Sequence, residues 1–472
     1  MGILYDKLTE YSKSDYYPYH MPGHKRQPAG TLPKEWTEAD ITEIEGFDNL
    51  HQPEGILKIL QEKAAAAYGA EESFYLINGS SSGILSAISA TVSFGGELLI
   101  VRNCLKSVYH GAYLRRLTLR YLYPEMVEGF DVCEAITEEQ VKDALEKYPA
   151  VEAVLIVSPT YEGRIARIEA IAEAVHAKGL PLIVDEAHGA HLGFAEGFAQ
   201  NSNRLGADVV IHSLHKTLPS MTQTALLHCN GKLVNRDKIR RFLRIYQSSS
   251  PSYVLMASME EAVRVAMEEE EAFVRFRKNW NTLLERLGAC QKIHVLGECT
   301  QKNDEVCHKF KQDVGKLVLS VKGTGLSGQQ LYDILLNRYH LQMEMACESY
   351  VLAMFTIGDT EEGYERLAVA VLELDKELFT EPWKDDKVME VPAPEEKLCL
   401  YEAWDEEKEW ISLEAACGRI VGEFVNLYPP GTPLAVPGEV VNPETVRILK
   451  EYLEAGLTVQ GIDEERRICV LR

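Results

Sequence analysis

Short apolar runs alternate with helix-like stretches in the first half of the chain, and this alternation limits the fold more than any other feature. The runs are apolar at consecutive positions, as expected for parallel strands covered by helices, whereas a half-exposed antiparallel sheet would alternate apolar and polar residues. A helix-like stretch such as 167–178 separates two of them. The pattern predicts an α/β fold with a large, mostly parallel sheet. The runs are 74–77, 98–101, 154–157, 182–184 and 209–211.

The chain divides into further segments around these runs, because 472 residues exceed what one hydrophobic core usually serves. Residues 1–55 predict an irregular arm, and residues 56–285 predict a large domain that opens with a helix ending at Gly69. A charged helical stretch at 260–286 leads into a small α/β domain, 286–380, with a strand at 316–322. A linker rich in acid and proline, 381–396, opens the C-terminal region 381–472. The apolar face of the opening helix comprises Leu57, Leu60, Ala64 and Ala67.

Charge and cysteine content exclude several classes of protein. The net charge of −23 argues against nucleic acid as a partner, because such binding depends on clustered Lys and Arg. Acidity suits a cationic ligand, although many soluble enzymes are acidic for solubility alone. The ten cysteines contain no C-x-x-C pair, so we expect no metal site and no redox dithiol. Reduced thiols, no leader pattern after Met1 and no long apolar stretch predict a cytoplasmic protein without a membrane partner.

Two polar clusters directly follow two of the apolar runs. Asp185 opens the first, Asp-Glu-Ala-His-Gly-Ala-His, and Lys216 closes the second, His-Ser-Leu-His-Lys. One helical crossover fits between them, so a carboxylate and an amine can meet at the carboxyl edge of the sheet. Chemistry based on pyridoxal 5′-phosphate (PLP) needs an amine for the imine and a carboxylate that keeps the ring nitrogen protonated. Taken alone, Asp185 could equally cap a helix and Lys216 could be a solvated lysine.

A glycine- and serine-rich turn at 78–83 joins the run 74–77 to a helix expected to begin near Ile84. Glycine permits a tight turn, and serine hydroxyls together with the first N–H groups of a helix can hold a phosphate. This turn therefore predicts an anion cradle. An ordinary capped turn is the alternative.

The order of these motifs resembles the Orn/Lys/Arg decarboxylase family of fold-type-I PLP enzymes, and the resemblance covers nearly the whole chain. It implies an aspartate-aminotransferase-like large domain, a smaller α/β domain and a small C-terminal region. The motifs that carry it are HMPGHK at 20–25, TE at 42–43, DNLH at 48–51, NGSSS at 78–82, RNC at 102–104, SPTY at 158–161, DEAHGAH at 185–191, HSLHK at 212–216, QSSSPSY at 247–253, KGTG at 322–325, YPPG at 428–431 and PGE at 437–439.

The resemblance also implies roles for single residues. Lys216 would hold PLP as a Schiff base, Asp185 would contact the pyridine nitrogen, and His188 would lie near the ring. His215 is a candidate proton donor to the α-carbon, and the released Lys216 is the alternative. The serines expected around the phosphate are Ser80, Ser81, Ser82 and Ser213, joined in a homodimer by Ser249 and Ser250 of a neighbouring subunit. The alternative for Ser249 and Ser250 is a turn that caps a helix beginning near Val254.

One position departs from the family pattern. Relatives continue Arg-Asn-Cys with a histidine that stacks on the pyridine ring, whereas this chain has Leu105. Leucine can cover a ring by dispersion and exclude water, but it offers no imidazole. We expect Leu105 to cover one face of the cofactor, so that Leu105→His should alter the cofactor spectrum or the turnover.

The favoured function is decarboxylation of lysine, ornithine or arginine to the corresponding amine. The distal cation of such a substrate would supply binding energy, with Glu344, Glu348 and Glu439 as possible partners. The cofactor apparatus does not by itself choose which bond breaks, so an aminotransferase or another PLP lyase is one alternative. A PLP-binding homologue without catalysis is another, because of Leu105.

Overall fold

The structure, a computed structural model, describes residues 2–27, 34–297, 311–379, 393–428 and 431–472. Most of the predicted linker 381–396 and the two prolines of the YPPG motif lie outside these residues. Two compact units are seen: Met1–Thr91 with His176–Phe273, and Val92–Val175 with Val274–Arg472. The division into an arm, a large domain, a small domain and a C-terminal region stays a prediction.

The elements are numbered in chain order. The helices are α1 Ile3–Ser12, α2 Lys34–Glu38, α3 Ile56–Tyr68, α4 Gly79–Thr91, α5 Lys106–Arg115, α6 Glu138–Lys147, α7 Ile168–His176, α8 Leu214–Thr217, α9 Arg236–Tyr246, α10 Tyr253–Glu268, α11 Glu270–Leu287, α12 Gly328–Tyr339, α13 Glu361–Glu377, α14 Leu400–Ala403 and α15 Pro443–Glu454. The strands are β1 Glu72–Leu76, β2 Glu97–Val101, β3 Thr118–Leu122, β4 Val151–Val157, β5 Arg164–Ile165, β6 Leu182–Asp185, β7 Val209–Ser213, β8 Ala225–Cys229, β9 His294–Leu296, β10 Lys311–Gln312, β11 Lys316–Ser320, β12 Met345–Ala346, β13 Tyr350–Met354, β14 Lys408–Ser412, β15 Val425–Leu427, β16 Pro433–Ala435, β17 Val459–Gln460 and β18 Arg467–Leu471.

All five apolar runs are strands of a large, mostly parallel sheet of seven strands, which confirms the predicted fold class. In the first unit four of the strands follow the order β1-β8-β7-β6, and in the second unit three follow the order β4-β2-β3. Strand β6 is parallel to β7, and β2 is parallel to β3 and β4. Strand β8 is antiparallel to both of its neighbours, β7 and β1. For β7 the reason is that the link to β8 is too short for a parallel crossover.

The second unit also contains an antiparallel sheet of order β12-β13-β11-β9, which includes the strand expected at 316–322. Near the chain end, β14 pairs with β18, and β15 lies between β16 and β17. Helix α15 packs over a core that these strands share. The members of that core are Leu413, Ala416, Val421, Val425, Ala435, Val441, Leu449, Ile468 and Val470.

The helix expected from Ile56 is confirmed: its apolar face is buried and Gly69 ends it in the left-handed conformation, with φ of 70°. Three other expectations about helices were wrong. The arm is not irregular throughout, because α1 buries Leu4 and Leu8, spaced one helical turn apart. Helix α4 begins at Gly79 rather than near Ile84, and the stretch 260–286 is divided between α10 and α11.

No helix in the described part of the chain combines the length and the apolar character that a membrane span requires.

Candidate active site

The carboxyl ends of β6 and β7 place the two predicted clusters side by side. The strands run parallel, with Asp185 opposite Ile211, and the backbone N–H of Glu186 donates to the carbonyl of Ile211 at 3.0 Å. Asp185 is the last residue of β6, and the short helix α8 carries Lys216 just beyond β7. The sheet thus delivers a carboxylate and an amine to the same edge, as in other open α/β sheets that bind ligands there.

Lys216, His188 and Asp185 form the centre of this candidate site. The Nζ atom of Lys216 lies 3.0 Å from Nε2 of His188, whose side chain is buried. Burial raises the pKa of the Asp185 carboxyl, and the positive charge of Lys216 acts in the opposite direction. The backbone N–H of Ala187 also donates to Asp185. A buried carboxylate is well suited to receive a charged N–H group of a ligand.

His215 is half-buried beside Lys216. Its Nδ1 atom lies 2.9 Å from the carbonyl oxygen of Thr224, so Nδ1 carries the proton and Nε2 is the atom that can gain or lose one. Burial lowers the pKa of His215, the carbonyl of Thr224 raises it, and Lys216 lowers it further. At neutral pH the imidazole is therefore mostly uncharged.

The predicted anion cradle is the first turn of α4. Ser80 and Ser81 stand in that turn, where backbone N–H groups lack partners within the helix. The hydroxyl of Ser82, in contrast, is buried and donates to the carbonyl of Gly79 at 2.9 Å. A side chain at Gly83 would approach Leu76 to 2.7 Å, so glycine lets α4 pack closely against the sheet.

Two buried hydroxyls beside Lys216 have no hydrogen-bond partner among the described residues, Oγ of Ser213 and Oγ1 of Thr217. A buried polar atom without a partner is costly and needs an explanation. A phosphate group would provide acceptors for both. Ser213 was predicted for this role, and Thr217 was missed, although it directly follows Lys216.

The other predicted cofactor residues are exposed or partly buried in this chain. Ser249 and Ser250 are exposed in this chain, and the hydroxyl that caps α10 belongs to Ser252, which accepts from the N–H of Leu255. Leu105, in the second unit, is partly buried and directly precedes α5.

The three carboxylates considered as partners of a substrate cation lie in different environments. Glu439 accepts from Arg102 at 2.9 Å and from the N–H of Val436, both in the interior, so it is already paired. Glu344 is exposed and accepts from the hydroxyl of Tyr161. Glu348 lines a cavity of about 160 Å³ within the second unit. Asp131, Glu162 and Arg102 also line this cavity, so its acidic side chains outnumber the basic one, and Asp131 is paired with Lys322 at 2.6 Å.

A model of the Orn/Lys/Arg decarboxylase major domain matches residues 3–363, and a model of the C-terminal domain of the same family matches residues 376–461. The chain belongs to the Orn/Lys/Arg decarboxylase family. It is therefore an amino-acid decarboxylase by family, as the motif order predicted.

Curated relatives agree with this assignment, and solved structures share the fold. The arginine decarboxylase of Bacillus subtilis (strain 168) is 31% identical to this chain, and the match covers 98% of this chain and 95% of that protein. The lysine decarboxylase LdcF of Francisella novicida has a TM-score of 0.84 at 17% identity, covering 100% of this chain and 81% of that chain. A serine palmitoyltransferase variant from S. paucimobilis, solved with bound PLP, has a TM-score of 0.52 at 15% identity, covering 67% of this chain and 76% of that chain.

Proposed function

We propose that this member of the Orn/Lys/Arg decarboxylase family is a PLP enzyme that decarboxylates arginine, releasing carbon dioxide and agmatine. The observation that carries the proposal is that Asp185, which is buried, and Lys216, which is partly buried, converge at the carboxyl ends of β6 and β7. The name of the Bacillus subtilis relative favours arginine over lysine and ornithine.

The residues of the first unit fit PLP. Lys216 would hold the cofactor covalently, Asp185 would receive the ring N–H, and His188 would border the ring. The phosphate would be held by Ser213, Thr217 and the first turn of α4, where Ser80 and Ser81 stand. When bound, PLP supplies a sink for the electron pair that remains when the bond to the substrate carboxylate breaks.

Side chains of the protein would carry out the proton transfers. Nε2 of His188 can accept a proton from the Lys216 ammonium, which leaves a neutral amine able to attack a carbonyl carbon. Asp185 holds a proton on its ligand by remaining a buried carboxylate. Nε2 of His215 would return a proton to the α-carbon after carbon dioxide has left.

The acidic cavity of the second unit supports a cationic substrate. Burial raises the pKa of Glu348, the charges of Glu451 and Asp131 raise it further, and the charges of Arg447 and Lys322 act in the opposite direction. A guanidinium group would relieve this repulsion and could donate two parallel hydrogen bonds to the Glu348 carboxylate. Of Glu344, Glu348 and Glu439, Glu348 is the one that lines this cavity, so it is the carboxylate best suited to bind a cation within the second unit.

The role of His215 predicts a pH dependence. Since burial lowers the pKa of His215, the protonated donor is present only below the ordinary imidazole value, and kcat should fall about tenfold per pH unit above that pKa. His215→Asn should lower kcat about a hundredfold and remove this limb of the profile. His110→Asn, at an imidazole of similar burial in α5, is the control and should keep the limb. An unchanged profile in His215→Asn would exclude the donor role.

A homodimer with composite sites is part of the proposal. Ser249 and Ser250 are exposed in this chain, which leaves their hydroxyls available to a neighbouring subunit. The Ser249→Ala/Ser250→Ala double variant should bind PLP about tenfold more weakly, and PLP should strengthen wild-type association through linkage. Sedimentation with and without PLP measures both effects. A fully active monomer, or a variant with unchanged PLP affinity, would rule out shared sites.

Two further proposals concern the role of Leu105 and the location of the protein in the cell. Leu105 would cover one face of the cofactor. A cytoplasmic location is supported by the composition, and no disulfide joins the described cysteines, as is usual in a reducing compartment.

The substrate is tested by comparing kcat/KM for arginine, lysine and ornithine with PLP-loaded protein. We expect arginine to exceed the other two by at least about tenfold, because a guanidinium fits an acidic cavity in a bidentate way that an ammonium does not. A preference for lysine or ornithine would contradict the substrate assignment. Accumulation of pyridoxamine phosphate would instead indicate an aminotransferase.

A further inference from the structure

A line of hydrogen bonds crosses the four strands of the first unit and ends beside Asp185. Oγ of Ser73 on β1 lies 2.6 Å from Nδ1 of His228 on β8, and Nε2 of His228 lies 3.0 Å from Nδ1 of His212 on β7. Nε2 of His212 then lies 2.7 Å from Oε2 of Glu186, the residue that follows β6. All four side chains are buried.

Each hydrogen bond along this line is donated in the direction of Glu186. The N–H and the hydroxyl of Ser202 donate to its carboxylate, the hydroxyl at 2.6 Å. His212 therefore donates through Nε2 and accepts at Nδ1 from His228, which in turn accepts from Ser73. The network closes with both imidazoles neutral and one negative charge, on Glu186.

The surroundings keep the imidazoles neutral. The ring of Tyr68 packs against both, with centroids 4.6 and 4.8 Å away. Burial, with a smaller contribution from His191, lowers the pKa of His212 to about 3. Burial also lowers the pKa of His228 well below its ordinary value, with a further contribution from His212.

A buried anion in this position acts on its neighbour in the chain. Glu186 and Asp185 are consecutive, so their Cα atoms are about 3.8 Å apart, and both carboxylates lie in an interior where screening is weak. The negative charge of Glu186 makes it less favourable for Asp185 to be ionised alone. Two adjacent negative charges favour a positive charge placed against Asp185.

We propose that Glu186 is a positioning residue whose buried charge, fixed by Ser202 and the His212–His228–Ser73 line, strengthens the hold of Asp185 on a protonated ring nitrogen. The inference rests on the proposed pairing of Asp185 with the ring nitrogen of PLP. It assigns a role to a polar network that the decarboxylation scheme does not use.

The test compares the affinity of full-length apoprotein for PLP and for 1-deaza-PLP, in which carbon replaces the ring nitrogen. Wild-type protein should prefer PLP by at least about tenfold, equivalent to one unit of pKa. Glu186→Gln should remove about tenfold of that preference, while the affinity for the deaza analogue changes less than twofold. Glu186→Asp, which keeps the charge, should restore most of the preference. Ser73→Ala keeps His212 and Ser202, the direct donors to Glu186, so it should retain most of the preference.

The outcomes separate the possibilities. Equal loss of affinity for both cofactors in Glu186→Gln would indicate a structural role and overturn the inference, as would a fully retained preference. Should Glu186→Gln fail to fold, Ser202→Ala decides the question, because it removes one donor to Glu186 and should reduce the preference about threefold. An unchanged preference in Ser202→Ala would then overturn the inference. A wild-type protein without any preference would instead refute the pairing of Asp185 with the ring nitrogen.

Discussion

Replacing Lys216 by alanine is expected to abolish covalent attachment of PLP and to lower kcat at least about a thousandfold. Lys216 lies just beyond β7, with its amine 3.0 Å from His188, and no shorter side chain can place a nucleophile there. The far-UV spectrum and the unfolding midpoint should remain close to those of the wild type. The measurement is borohydride reduction of PLP-loaded protein followed by peptide mapping, with kcat determined in parallel.

The matched control is Lys58→Ala, at an exposed lysine of α3 in the same unit. Its labelling and turnover should equal those of the wild type. Reductive labelling of another lysine in wild-type protein, with Lys216 unmodified, would remove Lys216 from the site.

Replacing Glu439 by glutamine is expected to reduce the free energy of unfolding by about 3 kcal/mol. Glu439 and Arg102 form an ion pair at 2.9 Å, and their side chains are only 3% and 1% exposed. Arg102 also donates to the hydroxyl of Tyr109, and its guanidinium lies against the ring of Tyr121. Glutamine keeps the volume of the side chain but leaves a buried guanidinium without its counter-charge.

Urea denaturation of the two proteins measures this loss as a shift in the midpoint. Glu409→Gln is the control, because Glu409 pairs with Arg419 at 2.6 Å on the surface, where such pairs contribute less than about 1 kcal/mol. Equal midpoint shifts for both variants would show that burial does not make the pair of Arg102 and Glu439 special. The pair joins the RNC and PGE motifs, since each supplies one partner.

The sequence predicts the strand framework well, because runs such as 182–184 and 209–211 are apolar on both faces and need covering helices. It predicts helix ends less well. The first turn of α4 is made of glycine and serine, which suggest a loop, yet packing of α4 against the sheet extends the helix to Gly79. Strand β8 was missed because His228 interrupts its apolar pattern, although the histidine is satisfied inside by Ser73 and His212.

The candidate site, like the fold, could be predicted only in part. Asp185 ends β6 and Lys216 lies just beyond β7, so their meeting could be predicted from strand order, and the structure brings them together with His188. The line from Glu186 to Ser73 could not be predicted, because it depends on which strands pair, and Ser73 on β1 lies 155 residues before its partner His228. The signal present in the sequence was a pair of histidines at inward positions of neighbouring strands, which indicates an internal polar network only once the register is known.

Carbon dioxide release from carboxyl-labelled arginine, measured together with agmatine, tests the central claim most directly. PLP-loaded protein should release one carbon dioxide for each agmatine formed, produce no keto acid, and lose both products in Lys216→Ala. Agmatine-free turnover that yields a keto acid would contradict decarboxylation, and so would the absence of labelled carbon dioxide from arginine, lysine and ornithine alike.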